Sequence, residues 1–258
     1  MIHLSVETST EWVDLALLRE STLLSRFSVF RPGGASEILV PALETVLVSA
    51  GISRDALAFL SSSRGPGTYT SIRVGHLFVR GMAFALNIPH VTVSPFDVLA
   101  RQGASLLPAG LDHLVVLLDA KRGEVNAALY RLSGAVDPVR IPSSASGEIF
   151  SGRATSPRRV LEHLPPGSVG LVGPGIIHLG TPFPPGDTRI APPLLIYPSA
   201  SVMGSMAFAA RLSGEDRALS PDLLYGRDSV SSSKERDSFP LLVSPVKERT
   251  LQESSLNG

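Results

Sequence analysis

Apolar residues recur along this chain with two different spacings, and the changes between them predict the order of its elements. Short apolar runs bounded by Gly, Pro, Ser or Thr predict strands, and longer runs such as the one between Ser36 and Gly51 predict helices. The predicted strands span residues 2–6, 12–18, 23–30, 57–63, 90–93, 114–118, 125–132, 136–141 and 169–172. The predicted helices span residues 36–50, 70–86, 157–164 and 201–212. This order predicts mixed sheets with helices packed on them.

The two halves of the chain share an acid followed by a polar turn. Glu7 follows the first strand and Asp119 follows the first strand of the second half, and a further strand comes after each turn. This weak internal repeat predicts two loops that face each other. Such loops are able to hold a triphosphate, with the two acids carrying a metal ion through water. In that interpretation Thr8 and Ser9 donate hydrogen bonds to phosphate, and Gly123 lets the ligand approach the backbone.

Other residues in the same loops argue against a nucleotide. Lys121 and Arg122 crowd the second loop, and Glu7 is longer than the aspartate that is usual at such a turn. We therefore favour the interpretation that these are vestigial phosphate loops, retained as a scaffold, over an active nucleotide site.

A Gly-Pro-Gly turn, formed by Gly65, Pro66 and Gly67, lies between a predicted strand and the second predicted helix. The glycines permit backbone angles that side chains forbid, and the proline fixes one dihedral between them. The free N–H groups of the following helix turn make an anion site possible, but the same turn also suits tight docking of the helix. The sequence leaves both interpretations open.

The first two predicted helices carry more apolar residues than one sheet face can cover, since a surface helix needs an apolar stripe of only about 100°. The excess predicts a partner surface, with Gly75 and Gly81 allowing close approach of another backbone. The predicted interface residues are Leu39, Leu43, Val46, Leu47, Arg73, Val74, Gly75, Leu77, Phe78, Gly81 and Met82.

Composition excludes several classes of protein. The 258 residues carry 23 basic and 23 acidic side chains, a balance unsuited to binding nucleic acid alone. There are no cysteines, and the six histidines lack the spacing of a zinc site. A nucleophile elbow is absent, and Gly65 and Gly67 form only part of a dinucleotide fingerprint. The absence of a signal peptide or a membrane-spanning run predicts a cytoplasmic protein with no membrane partner.

Several segments resemble motifs of the TsaB (YeaZ) family. Residues 64–75, Arg-Gly-Pro-Gly-Thr-Tyr-Thr-Ser-Ile-Arg-Val-Gly, are similar to its signature Gly-Pro-Gly-Ser-Phe-Thr-Gly-x-Arg-x-Gly. Residues 6–10 resemble its Asp-Thr-Ser-Thr opening, and residues 118–125 resemble its Leu-Asp-Ala-Arg-x-Gly-Glu-Val. Residues 221–227 are a loosened version of its closing Pro-x-Tyr-Leu-Arg.

The chain departs from the family pattern at three positions. Glu7 replaces an aspartate, Ser71 replaces a glycine, and Ala35 stands where a His-Ser pair usually precedes the first helix. The first two changes fall at turns that a nucleotide would need, and they weaken any inherited ATP site.

The resemblance implies an α/β fold of the two-lobed ASKHA type (actin, Hsp70 and sugar-kinase-like, ribonuclease H-like), with mixed sheets flanked by helices. The lobes would span residues 1–102 and 103–227, with a mobile tail over residues 228–258. The implied role is that of a non-catalytic scaffold in making N6-threonylcarbamoyladenosine (t6A) next to the tRNA anticodon. The implied partners are a TsaD-like paralogue, which carries the transferase activity, and the ATPase TsaE.

The same resemblance leaves further points open. The chain would form a homodimer when alone, would meet tRNA only through the complex, and would carry no cofactor or metal of its own, with ATP or ADP possible at a joint surface with TsaD. The alternative function is an ASKHA-type phosphotransferase using the Glu7 and Asp119 loops. An old "glycoprotease" label of the family finds no supporting residue in this chain.

Overall fold

The computed structural model describes residues 1–132, 138–180, 190–191, 193–214 and 223–224. Met1–Arg227 form one compact unit. The predicted tail over residues 228–258 lies outside the described residues, as do most of the closing motif over residues 221–227 and the start of the strand predicted over residues 136–141.

The chain forms two mixed sheets flanked by helices. The strands are β1 (Ile2–Glu7), β2 (Trp12–Arg19), β3 (Thr22–Phe30), β4 (Leu57–Ser63), β5 (His90–Val93), β6 (His113–Lys121), β7 (Glu124–Arg131), β8 (Val139–Arg140), β9 (Ala154–Thr155) and β10 (Val169–Val172). The helices are α1 (Ala35–Ala50), α2 (Tyr69–Leu86), α3 (Pro95–Leu106), α4 (Ser143–Ser146), α5 (Pro157–Glu162) and α6 (Ala200–Ser213). Most predicted elements are confirmed to within one or two residues.

The first sheet has the order β3-β2-β1-β4-β5. The first three strands form an antiparallel meander, and β4 and β5 run parallel to β1. Side chains alternate between the two faces of a strand, so Leu15 and Leu17 pack with α1 and α2 while Ala16 and Leu18 face the layer that contains Ala200 of α6. Burial of both faces explains why the sequence of β2 is almost continuously apolar.

Local sequence signals set the ends of the first two helices. Gly51 ends α1 and Asn87 ends α2, both in the left-handed conformation with φ of 64° and 52°. Glycine and asparagine adopt this conformation at little cost, and their N–H groups bond back to the last helical turn.

The helix α3 was absent from the sequence-based prediction. Ser94 caps it by accepting a hydrogen bond from the Phe96 N–H, and Pro95 occupies its first turn. Serine before proline is a standard start signal, which the prediction overlooked. The predicted lobe boundary between residues 102 and 103 falls inside this helix, and the position of that boundary stays a prediction.

The second sheet repeats the arrangement of the first. Its order is β10-β6-β7-β8, with β9 also paired to β7. β6 and β7 form an antiparallel hairpin, and β10 runs parallel to β6, as β4 does to β1. The α3 helix packs on one face, and Ile149, Phe150 and Val160 pack on the other. The two sheets together confirm the predicted two-lobed ASKHA-like fold. No described helix has the length and hydrophobicity needed to cross a membrane.

Candidate functional site

The two predicted loops lie on opposite sides of one small cleft. The space between them measures about 220 Å³, part of it open solvent. Its lining residues are Ser9, Thr10, Glu11, Gly67, Thr68, Leu118, Asp119, Lys121 and Pro174. Of the five predicted loop residues, only Ser9 and Asp119 line this cleft. Glu7, Thr8 and Gly123 lie outside its lining.

Lys121 spans the cleft and joins the two loops. Its ammonium group contacts the Glu11 carboxylate on one side and Asp119 Oδ2, at 2.8 Å, on the other. The second oxygen of Asp119 receives a hydrogen bond of 2.8 Å from His178 Nε2. Partial burial opposes ionisation of Asp119, but hydrogen bonds from Lys121 and His178 lower the pKa of its carboxyl. The sequence identified Lys121 as crowding this loop but gave no sign that it would pair with Glu11.

Glu7 sits in a different environment from its counterpart Asp119. Its side chain is buried, and Oε1 accepts a hydrogen bond of 2.6 Å from the Ser9 N–H. Oε2 has no hydrogen-bond partner among the residues that the structure describes. Burial raises the pKa of the Glu7 carboxyl to about 7, because the hydrogen bond from the Ser9 N–H offsets only part of the desolvation. A neutral Glu7 tolerates its unpartnered oxygen better than a carboxylate would.

The Gly-Pro-Gly turn brings three separate segments together. A Cβ on Gly67 would overlap the Ser9 carbonyl, and one on Gly65 would overlap the carbonyl of Leu224. Thr68 N–H donates to that same Ser9 carbonyl at 2.7 Å. These contacts support a structural role for the turn, since both glycines allow neighbouring backbone to approach closely.

Part of the predicted partner interface is buried inside the chain itself. Leu39, Leu43, Val46 and Leu47 all pack in the core between α1, α2 and the first sheet. These four side chains are not accessible to a partner in this conformation, because the sheet face beneath α1 covers them. Three further predicted residues, Val74, Phe78 and Met82, are partly buried against the same core.

Gly75 also has an internal reason to be glycine. It is buried, and a Cβ at this position would overlap Thr8 Oγ1 and lie 3.0 Å from Thr8 Cβ. Thr8 Oγ1 in turn donates a hydrogen bond of 2.9 Å to the Ser71 carbonyl. The close approach at Gly75 is thus to the β1–β2 loop of the same chain, and the predicted approach of a partner backbone there stays a prediction.

Other apolar residues of the same two helices face outward. Phe84 is 88% exposed, Val48 76%, Leu77 61% and Val40 55%. We call these four residues the α1–α2 outer face. Gly81 is also exposed, with no atom within 4 Å of where its Cβ would be. Arg73, one of the predicted interface residues, and Arg80 are exposed on the same helix as Leu77.

A buried hydroxyl and two imidazoles form a cluster that sequence reasoning missed. Ser62 Oγ lies 2.8 Å from His90 Nε2 and 3.3 Å from His76 Nδ1. Burial, the neighbouring His76 and Arg80 together lower the pKa of His90 to about 4. Within the described part of the chain, no group of three or more His, Asp or Glu side chains is placed to hold a metal ion.

The fold and the cleft define the class of protein, a two-lobed ASKHA-like chain whose interlobe loops are joined by an internal ion bridge. A family model described as TsaD, tRNA N6-adenosine threonylcarbamoyltransferase, matches residues 34–147. The TsaB protein of Bacillus subtilis, named for tRNA threonylcarbamoyladenosine biosynthesis, is 30% identical over 132 residues, which cover 51% of this chain and 56% of that protein. The chain thus matches a little over half the length of this curated relative.

Two solved structures from Pseudomonas aeruginosa match more of the chain. One, described as an uncharacterized protein with similarity to peptidase YEAZ, has a TM-score of 0.70 and 25% identity, covering 88% of this chain and 99% of its own. The other, YeaZ, has a TM-score of 0.66 and 26% identity, covering 83% and 95%. The chain is thus similar to TsaB (YeaZ) proteins in sequence and in structure.

Proposed function

We propose that this chain acts in t6A biosynthesis as a non-catalytic scaffold that binds a TsaD-like paralogue through the α1–α2 outer face. The observation that carries the proposal is the exposure of Phe84, Val48, Leu77 and Val40 on two neighbouring helices. Exposed apolar side chains gathered on one surface are typical of a protein interface. The names of its relatives support the biosynthetic role.

The interface differs from the predicted one in which side chains it uses. The helices are the same, but the contacting residues are those that the sheet leaves uncovered. Gly81 has open space above it, so a partner helix can approach its backbone closely. A paralogue of the same fold would present a matching helix pair, and so would a second copy of this chain. In this proposal the homodimer forms when the paralogue is absent.

Two observations support a non-catalytic role. Lys121 and His178 occupy both oxygens of Asp119, the acid that the phosphotransferase alternative needs. For a peptidase, Ser62 and His90 are within hydrogen-bond distance, but Ser62 is fully buried and out of reach of a peptide. The proposal places the chain in the cytoplasm and includes a TsaE-like ATPase in the complex. Any ATP or ADP would bind at the joint surface with the paralogue, and tRNA would be reached through that complex.

The test is co-purification with the TsaD-like paralogue of the same organism. We expect Leu77→Asp to remove binding, because it places a charge within the proposed apolar interface. The matched control is Leu106→Asp at the end of α3, where the leucine is 62% exposed, as Leu77 is 61%. Gly81→Leu should also prevent binding while leaving the fold intact, since its side chain enters open space.

A second readout ties binding to function. In cells that depend on this chain for t6A, mass spectrometry of tRNA should show loss of the modification with Leu77→Asp and normal levels with Leu106→Asp. Undiminished co-purification with both Leu77→Asp and Gly81→Leu would disprove the interface. Normal t6A in cells lacking the chain would disprove the biosynthetic role.

A further inference from the structure

The cleft between the two loops has the oxygen donors of a cation site, and its cation comes from the chain itself. Glu11 from the β1–β2 loop and Asp119 from β6 both line this space. Carboxylate oxygens are the ligands that hard divalent cations such as Mg²⁺ and Mn²⁺ prefer. The Lys121 ammonium contacts both carboxylates and is the group that neutralises them.

A hydroxyl beside the carboxylates gives a second, independent sign of a ligand position. Ser9 is buried and lines the cleft. Its Oγ has no hydrogen-bond partner among the residues that the structure describes. A buried hydroxyl normally has a partner, so an unpaired one on a residue that lines the cleft together with Glu11 and Asp119 marks a place where a further polar ligand would fit.

The backbone at this turn is held in a conformation that few side chains adopt. Lys121 and Arg122 both have positive φ, 64° and 58°, and Gly123 follows at 76°. Positive φ is uncommon for residues other than glycine and asparagine. The turn directs Lys121 to Glu11 across the cleft, whereas the structure records no ion pair for the exposed Arg122 within the described part of the chain.

We propose that Lys121 acts as the built-in cation of this cleft, filling the position between Glu11 and Asp119 in which a divalent metal ion would otherwise bind. The site as it stands does not fit a metal ion, because an ammonium already occupies the space between its acidic ligands. This inference stands apart from the proposed role in t6A biosynthesis, since it concerns the isolated chain and its own side chains.

The test is Mn²⁺ binding by the full chain, measured at neutral pH from the electron paramagnetic resonance signal of free Mn²⁺. The variant is Lys121→Asn, since asparagine tolerates positive φ and is too short and uncharged to replace the ammonium. Arg122→Asn is the matched control, because it removes the same charge at the next residue of the same turn. We expect Lys121→Asn to bind Mn²⁺ about tenfold more tightly than either the wild type or Arg122→Asn.

A double variant shows whether the gained binding uses the cleft. Adding Asp119→Asn to Lys121→Asn should return Mn²⁺ affinity to the wild-type level. Circular dichroism checks that the variants are folded. If Lys121→Asn does not fold, Lys121→Gln is used in its place. Equal Mn²⁺ affinity in the wild type and the folded Lys121 variant would overturn the proposal, and so would a gain that survives Asp119→Asn.

Discussion

Two glycines of α2, six residues apart, should respond in opposite ways to the same substitution. Gly75 is buried against Thr8 of the β1–β2 loop, whereas Gly81 is exposed with open space around its Cβ position. Replacing glycine by alanine inside a helix is intrinsically favourable by about 0.8–1 kcal/mol. The surroundings decide whether that gain appears in the measured free energy of unfolding.

At Gly81 nothing opposes the gain, so Gly81→Ala should raise the free energy of unfolding by about 0.5–1 kcal/mol. At Gly75 the new methyl group overlaps Thr8 Oγ1, and Thr8 is buried. Overpacking costs about 1–3 kcal/mol. Loss of the Thr8–Ser71 hydrogen bond adds about 0.5–1.5 kcal/mol. After the helix gain is subtracted, Gly75→Ala should destabilise the chain by about 0.5–3.5 kcal/mol.

Urea unfolding followed by circular dichroism gives both values, provided that the dependence on urea concentration is the same for each variant. A third variant, Thr8→Ala combined with Gly75→Ala, removes the overlap and should cost less than the two single changes added together. The reasoning fails if Gly75→Ala is as stable as the wild type, or if both glycine variants shift in the same direction.

Three further outcomes follow from buried polar groups. Glu7 has an ordinary pKa of 4.5 and a folded pKa of about 7. Below pH 4.5 Glu7 is neutral in both the folded and the unfolded chain, so its burial lowers the free energy of unfolding only as pH rises from 4.5 to about 7. Urea titrations should show the wild type losing about 3 kcal/mol over that range relative to Glu7→Gln. The same pH dependence in both proteins would contradict the burial. The Asp14 carboxylate accepts hydrogen bonds from Arg26 and from the Ala200 N–H. Asp14→Asn should therefore lower the free energy of unfolding by about 1–3 kcal/mol in the same assay. An unchanged free energy of unfolding would show that these bonds are absent in solution. Ser94→Ala should cost about 1 kcal/mol by thermal unfolding, because α3 loses its cap.

The sequence predicted the helices α1 and α2 well but assigned their apolar residues to the wrong neighbour. Periodicity shows that Leu39, Leu43 and Val46 share a helical face, and it does not show what that face meets. In the structure the first sheet covers them. The residues left for a partner, such as Phe84, lie on a face that also carries polar side chains, which weakens the pattern.

The candidate cleft was only partly predictable for a different reason. The acid and turn at Asp119 are local features, and both were found from the sequence. The pairing of Lys121 with Glu11 joins residues 110 positions apart, and the reason for glycine at position 75 lies in Thr8, far away in the sequence. Contacts of this kind depend on how distant segments are brought together in the fold, which no local pattern records.

The last described helix completes a layer begun by the first strands. α6 covers the face of the first sheet that carries Ala16 and Phe59, and Asp14 holds the Ala200 N–H at its start. During synthesis on the ribosome, that sheet is complete at Val93, the end of β5, but α6 begins only at Ala200, so about one hundred more residues must emerge before α6 can shield this face from water. A nascent chain halted between the two sheets would expose an apolar surface of the kind that chaperones recognise. Truncation of the chain at that point would yield an insoluble fragment.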